Sequence, residues 1–127
     1  MPFDPVVAVE IGAYKTVAIV ADLLENGNII VIGMGEQPSV GVRKGVVVDL
    51  EQAAYGLQRA VHLAEESGDV EIAEVFLALS GGHIQSIRNR GNTPVLEPGC
   101  EIGENTIEEV GEIAGAAPLP PECDKIH

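Results

Sequence analysis

Three extended apolar segments precede the first helical segment of this 127-residue chain. Residues 6–11 are almost continuously apolar, which is typical of a strand covered on both faces. Residues 16–24 form a second segment rich in β-branched side chains, and an Asn26-Gly27 pair separates it from a third at residues 29–34. Because Asn-Gly is a strong signal for a tight β-hairpin, we expect the second and third strands to be antiparallel.

A helix is predicted after a glycine-containing loop. Asp49 is placed to cap this helix, and Gln52 stands three residues further on, as in a capping box. Apolar residues then recur at helical spacing: Leu50, Ala53, Ala54, Leu57, Val61 and Ala64. We expect Ser67-Gly68 to end the helix and residues 75–79 to form another strand. The predicted order is strand, strand, strand, helix, strand, whereas a doubly wound fold would alternate strands and helices from the start.

The composition changes after Gly82. Residues 84–90 form a more polar extended segment, and the prolines and glycines of residues 91–103 are typical of a loop. A second helix is expected with Asn105 as its N-cap and Glu108 at the capping-box position.

We therefore place a domain boundary near Gly82, which gives regions 1–82 and 83–127. One polar extended segment and one helix cannot bury a core of their own, because domains of that size are marginal even when complete. The second region is accordingly expected to be incomplete.

The chain is strongly acidic, with a formal net charge of −13 from 20 acidic residues against seven Lys and Arg. Such a surface repels nucleic-acid phosphates, so nucleic-acid binding is not expected. A nucleotide site is compatible with this charge, since it depends on local backbone amides and a few cations.

The cysteines, the histidines and the cations at residues 43–44 give weaker signals for chemistry. Cys100 and Cys123 lack the spacing of a zinc site or disulfide framework, which favours thiols in a reducing cytoplasm. His62 and His83 have no partner at ligand or triad spacing and are interpreted as surface or hinge residues. The cations at residues 43–44 are interpreted as part of a solvated turn that positions the helix, in preference to a functional pair.

The strongest candidate site follows the first strand. Glu10 lies near the strand end, Gly12 starts a turn through Ala13 and Tyr14, and Lys15 follows. Turn amides can face an anion, a lysine adds positive charge, and a carboxylate can orient hydrated Mg²⁺. The pattern is compatible with phosphate binding, although glycine turns flanked by charges are also common structural features.

Three blocks of sequence resemble the FtsA family of bacterial cell-division proteins. Residues 9–18 are similar to its opening strand pair and phosphate turn, and residues 38–49 to the loop after its third strand. Residues 77–84 resemble the junction where that family passes from subdomain 1A into the inserted subdomain 1C, also called SHS2. The blocks occur in the family's order and, with the intervening helix, cover nearly all of residues 6–90, whereas residues 91–127 match more loosely.

The resemblance implies an α/β fold: an actin-like, ribonuclease-H-like subdomain with βββαβ order in residues 1–82, then the beginning of SHS2 in residues 83–127. It implies ATP and Mg²⁺ as ligands, with weak ATPase activity at most and no catalytic residue assigned. By position in the sequence, Glu10 matches the acidic residue that faces the metal in actin-like proteins. The phosphate-binding turn is matched by Gly12, Ala13, Tyr14 and Lys15. The family often has Thr or Ser where Ala13 stands, so one hydroxyl contact is absent.

The family's cellular role is also implied by the resemblance. Its members polymerise, work with FtsZ and other divisome proteins, and link the FtsZ ring to the inner face of the membrane through a C-terminal amphipathic helix. The second phosphate loop, the adenosine pocket and that anchor would follow His127. We therefore expect this fragment to bind nucleotide weakly or not at all, and to self-associate through an open strand edge and an apolar helix face.

Other classes of protein remain open. Within the same fold, the alternatives are a pilus-assembly protein of the PilM type and a relative of sugar kinases. The run Ser80-Gly81-Gly82-His83 favours FtsA over both. A non-catalytic protein-interaction scaffold on an actin-like fold is the alternative from another class.

Overall fold

The computed structural model describes residues 4–96 and 99–126. The chain divides into two compact units, Met1–Gln85 and Ser86–His127. Its elements are β1 Val6–Ile11, β2 Lys15–Leu23, β3 Ile29–Pro38, β4 Val42–Arg43, β5 Val46–Val47, α1 Leu50–Gly68, β6 Phe76–Ala78 and α2 Glu104–Gly115.

The first unit contains a four-stranded sheet in the order β3-β2-β1-β6. Strand β2 is antiparallel to both β1 and β3, whereas β6 runs parallel to β1. The mixed α/β class and the predicted succession of three strands, helix and strand are confirmed. A short antiparallel hairpin, β4–β5, additionally lies between β3 and α1.

The predicted β2–β3 hairpin is present and has a longer third strand than expected. Its loop is closed by the Leu24 amide, which donates to the Asn28 carbonyl at 2.8 Å, while Gly27 adopts a φ of 82°. Strand β3 continues four residues past Met34, so the expected end at residue 34 is wrong. The cause is continued pairing along β2, where Lys15 is opposite Pro38.

Helix α1 begins as the sequence predicts. Asp49 has an extended backbone, and its Oδ1 atom accepts from the Gln52 amide at 3.1 Å. The helix ends at Gly68, as expected, and Asp69 is the C-cap, with a left-handed φ of 50°. Aspartate tolerates this conformation better than most residues, which lets it take the place usually held by glycine.

The core lies between α1 and one face of the sheet. Its buried members are small, three valines and three alanines: Val7, Val9, Ala18, Val20, Ala60 and Ala64. Strand β3 presents Gly35 to the helix, where an added Cβ would overlap the Ala60 carbonyl oxygen. At Gly33 an added Cβ would lie 2.7 Å from the Ala64 carbonyl oxygen. The helix and the strand can therefore pack this closely because glycine has no side chain at either position.

The second unit contains α2, which buries none of its described residues. Gly103 is the N-cap and its carbonyl accepts from the Ile107 amide at 3.2 Å, so the predicted Asn105 cap is wrong: Asn105 already lies in the first helical turn. The Asn89 side-chain amide donates to the Ala114 carbonyl at 2.9 Å. Across the described residues, no helix combines the length and hydropathy required to cross a bilayer.

Candidate functional site

The turn between β1 and β2 presents backbone amides that can face an anion. The Gly12 amide donates to the Lys15 carbonyl at 3.0 Å, and a Cβ on Gly12 would lie 2.9 Å from that same oxygen. Ala13 and Tyr14 form the exposed tip, with Tyr14 87% exposed. Within residues 4–96 and 99–126, their backbone amides donate to no other residue. Two donors are therefore available to a ligand from solvent.

Lys15 extends from the end of this turn and makes an ion pair. Its Nζ atom lies 3.1 Å from Oε2 of Glu36, and the two side chains are 50% and 49% exposed. Exposed pairs of this kind stabilise a protein by only about 0.2–1 kcal/mol. The ammonium group can therefore exchange Glu36 for a phosphate oxygen at small cost.

Glu10 lies on the same sheet face as this ion pair. It is exposed and stands opposite Val17 on β2, whose partner on β3 is Glu36. Side chains of directly paired residues share a face, so Glu10, Lys15 and Glu36 all lie on the face opposite α1. The described residues contain no group of three His, Cys, Asp or Glu side chains that could hold a metal ion. Mg²⁺ is commonly held by one or two carboxylates together with waters and phosphates, so Glu10 fits such a role.

A second loop, residues 39–49, begins against the turn. The Ser39 amide donates to the Tyr14 carbonyl at 2.9 Å, and the Ser39 Oγ atom lies 3.0 Å from Oγ1 of Thr16. Thr16 is 2% exposed and is the buried polar residue among those described. Sequence reasoning missed Thr16, Ser39 and Glu36 as parts of the site. A polar Thr16 in an otherwise apolar segment was the available signal, since a buried hydroxyl needs a partner.

A third loop, residues 79–83, lies beside the second. A Cβ added to Gly45 would be 3.0 Å from the Ser80 carbonyl oxygen, which places the β4–β5 turn against this loop. Strands β1 and β6 are parallel, with Glu10 opposite Ala78, so both end at the same edge of the sheet. The turn at residues 12–15 and both loops therefore meet at this edge.

Comparison with known proteins identifies relatives over nearly the whole sequence. It is 38% identical to the cell division protein FtsA of Escherichia coli strain K12 and 32% identical to that of Pseudomonas aeruginosa, each over 122 residues. It is 28% identical to FtsA of Borreliella burgdorferi over 122 residues. Each match covers 96% of this chain and 29%, 29% and 30% of the respective relative. The chain thus spans less than a third of the length of these curated relatives.

Other comparisons add little. No protein-family model matches the chain. Among solved structures, a diol dehydratase-reactivating factor in nucleotide-free form is similar at a TM-score of 0.45 and 19% identity, covering 57% of this chain and 11% of that one. This likeness is too low to carry an argument about fold or function. The sequence matches show the relationship without it. The chain is homologous to the N-terminal part of the FtsA cell-division proteins, as its three sequence blocks predicted.

Proposed function

We propose that this chain carries the phosphate-binding part of a nucleotide site in an actin-like cell-division protein. The observation that carries the proposal is the exposed turn at residues 12–15. It combines two backbone amides that donate to no other described residue, at Ala13 and Tyr14, with the ammonium group of Lys15. Amide donors beside a cation are the usual chemistry of a phosphate contact.

ATP with Mg²⁺ is the proposed ligand. Glu10 is exposed on the same sheet face as Lys15, in a position to orient a hydrated Mg²⁺ ion that bridges phosphate oxygens. The bound ion would offset the negative charge that Glu10 and Glu36 place near the phosphates. Ala13 offers no hydroxyl, so binding to this chain is expected to be weak.

The relatives support the proposed cellular role. They are named cell division proteins, and the motifs at residues 9–18, 38–49 and 77–84 support a role at the division site. In this proposal residues 1–82 are part of actin-like subdomain 1A and residues 83–127 begin the SHS2 subdomain. The whole protein would polymerise and link the FtsZ ring to the inner face of the cytoplasmic membrane.

The test is an NMR titration of the ¹⁵N-labelled chain with Mg-ATP at millimolar concentration, which detects weak binding. We expect the largest shifts at the amides of residues 12–15, with smaller or no shifts for adenosine. In Lys15→Gln, the amide shifts should not saturate at the Mg-ATP concentrations that saturate the wild type. In the matched control Lys125→Gln, they should saturate as in the wild type. Equal shifts for wild type and Lys15→Gln, or no shift with Mg-ATP, would contradict the proposal.

A protein-interaction scaffold is the second candidate function, and two observations favour it. The Lys15 ammonium is already paired with Glu36, and part of the sheet face opposite α1 is apolar and exposed. Residues Ala8, Ile19, Met34 and Phe76 form one row across all four strands of this face. The partner in this case is a second copy of the chain. Self-association together with no response to Mg-ATP would favour the scaffold over the nucleotide site.

A further inference from the structure

We propose that Ser39 is a positioning residue for the phosphate turn, fixing the peptide group between Tyr14 and Lys15 from which the Lys15 side chain extends; this inference rests on the proposed function. Ser39 is the first residue after β3, and it makes one contact with the turn and one with β2. Its amide donates to the Tyr14 carbonyl at 2.9 Å, and its hydroxyl lies 3.0 Å from that of Thr16.

The hydroxyl contact fixes where the second loop begins. Thr16 is 2% exposed, so its hydroxyl is removed from water and depends on a protein partner. Ser39 supplies that partner. The Ser39 amide continues the register of β2 with β3, in which Lys15 is opposite Pro38, and the hydroxyl contact adds a second restraint that holds Ser39 beside the turn.

The amide contact then fixes the turn itself. A peptide group is planar, so holding the Tyr14 carbonyl also fixes the plane that contains the Lys15 amide. The orientation of this peptide plane sets the direction in which the chain leaves the turn. It also sets the direction in which the Lys15 side chain extends. A turn ordered before the ligand arrives loses less conformational freedom on binding, which raises affinity. Ser39 thus acts on phosphate through Tyr14 and Lys15, without a contact of its own.

Four variants test this role in the 127-residue chain. Ser39→Ala removes the hydroxyl, and Ser39→Thr keeps it. Thr16→Val removes the other hydroxyl at nearly constant volume. Ser67→Ala is the matched control, since the Ser67 hydroxyl accepts from the Met34 amide on β3 at 3.3 Å, away from the turn. Each variant is titrated with Mg-ATP by NMR, and amide hydrogen exchange is measured at residues 13–16 and 39.

We expect Ser39→Ala and Thr16→Val to weaken Mg-ATP binding roughly three- to tenfold, as for loss of one hydrogen bond. Exchange at residue 39 should accelerate in both variants. Ser39→Thr should bind as wild type, and Ser67→Ala should leave binding unchanged even if it lowers stability. If wild type binds and Ser39→Ala binds equally well, or no worse than Ser67→Ala, the positioning role is overturned while the nucleotide site stands. If wild type shows no binding, the proposed function and this inference both fail.

Discussion

Lys15 and Glu36 form an ion pair across β2 and β3, with Nζ 3.1 Å from Oε2, beside the turn that is proposed to bind phosphate. The residues are diagonal neighbours, because Lys15 is opposite Pro38 and Glu36 is opposite Val17. In the proposed site, the carboxylate would therefore compete with a phosphate group for the same ammonium group. It also adds negative charge where an anionic ligand would lie.

Glu36→Gln is expected to increase the affinity for Mg-ATP. An exposed ion pair contributes about 0.2–1 kcal/mol, so removing the competitor should strengthen binding up to roughly fivefold. NMR titration of both chains measures the change. Glu25→Gln, in the loop at the far end of the β2–β3 hairpin, changes the net charge equally and should have little effect. Unchanged or weaker binding in Glu36→Gln would show that the pair does not limit access to Lys15.

Ala13→Thr is expected to strengthen phosphate binding. The position is exposed at the tip of the turn, so a hydroxyl can reach a bound phosphate without displacing packed atoms. One added hydrogen bond should raise affinity roughly two- to tenfold. Ala13→Val supplies the same shape without a hydroxyl and is the control. Equal affinities for the Thr and Val variants would mean that no hydroxyl contact forms.

Two glycine substitutions should change stability in opposite directions. Gly35→Ala places a methyl group against the Ala60 carbonyl in the helix, and overpacking of this kind costs about 1–3 kcal/mol. Gly56 lies within α1 with nothing within 4 Å of an added Cβ, so Gly56→Ala should stabilise the chain by about 0.5–1 kcal/mol through helix propensity. Urea unfolding followed by circular dichroism measures both. A destabilised Gly56→Ala or a neutral Gly35→Ala would contradict the packing of α1 on β3.

Asp49→Ala should destabilise α1. The Asp49 carboxylate accepts from both the backbone and the side-chain amide of Gln52, at 3.1 and 3.2 Å. Loss of an N-cap costs about 0.5–2 kcal/mol. Thermal unfolding should show a lower midpoint for Asp49→Ala and a smaller decrease for Asp49→Asn, which keeps a capping oxygen. If the two variants lost equal stability, the carboxylate's charge would matter more than the cap.

Phe76→Glu should reduce self-association of the isolated chain. Phe76 is 72% exposed and lies in the apolar row with Ile19 and Met34, where a charge would oppose burial against a second copy. Light scattering across a wide concentration range should show association for wild type and less for the variant. Leu50 is similarly exposed, at 75%, but lies on α1. The Leu50→Glu variant should therefore associate like the wild type. A monomeric wild-type chain at all concentrations would exclude this interaction.

Local signals in the sequence located most elements of the first unit. The alternation of apolar segments, the Asn26-Gly27 turn and the Asp49 cap each act over a few residues, and all are found in the structure. Errors occurred where boundaries depend on distant partners. Strand β3 runs to Pro38 because β2 continues to offer it hydrogen bonds, which the composition of residues 35–38 does not reveal.

The sequence by itself determined the succession of strands and helix, the position of the turn from Gly12 to Lys15, and the relationship to FtsA. The tertiary structure alone decided that Ser39 lies on that turn and that Glu36 holds Lys15. These contacts join residues more than 20 positions apart, through the register of β2 with β3. A register is set by pairing and packing over the whole sheet, so no local pattern around either residue specifies it.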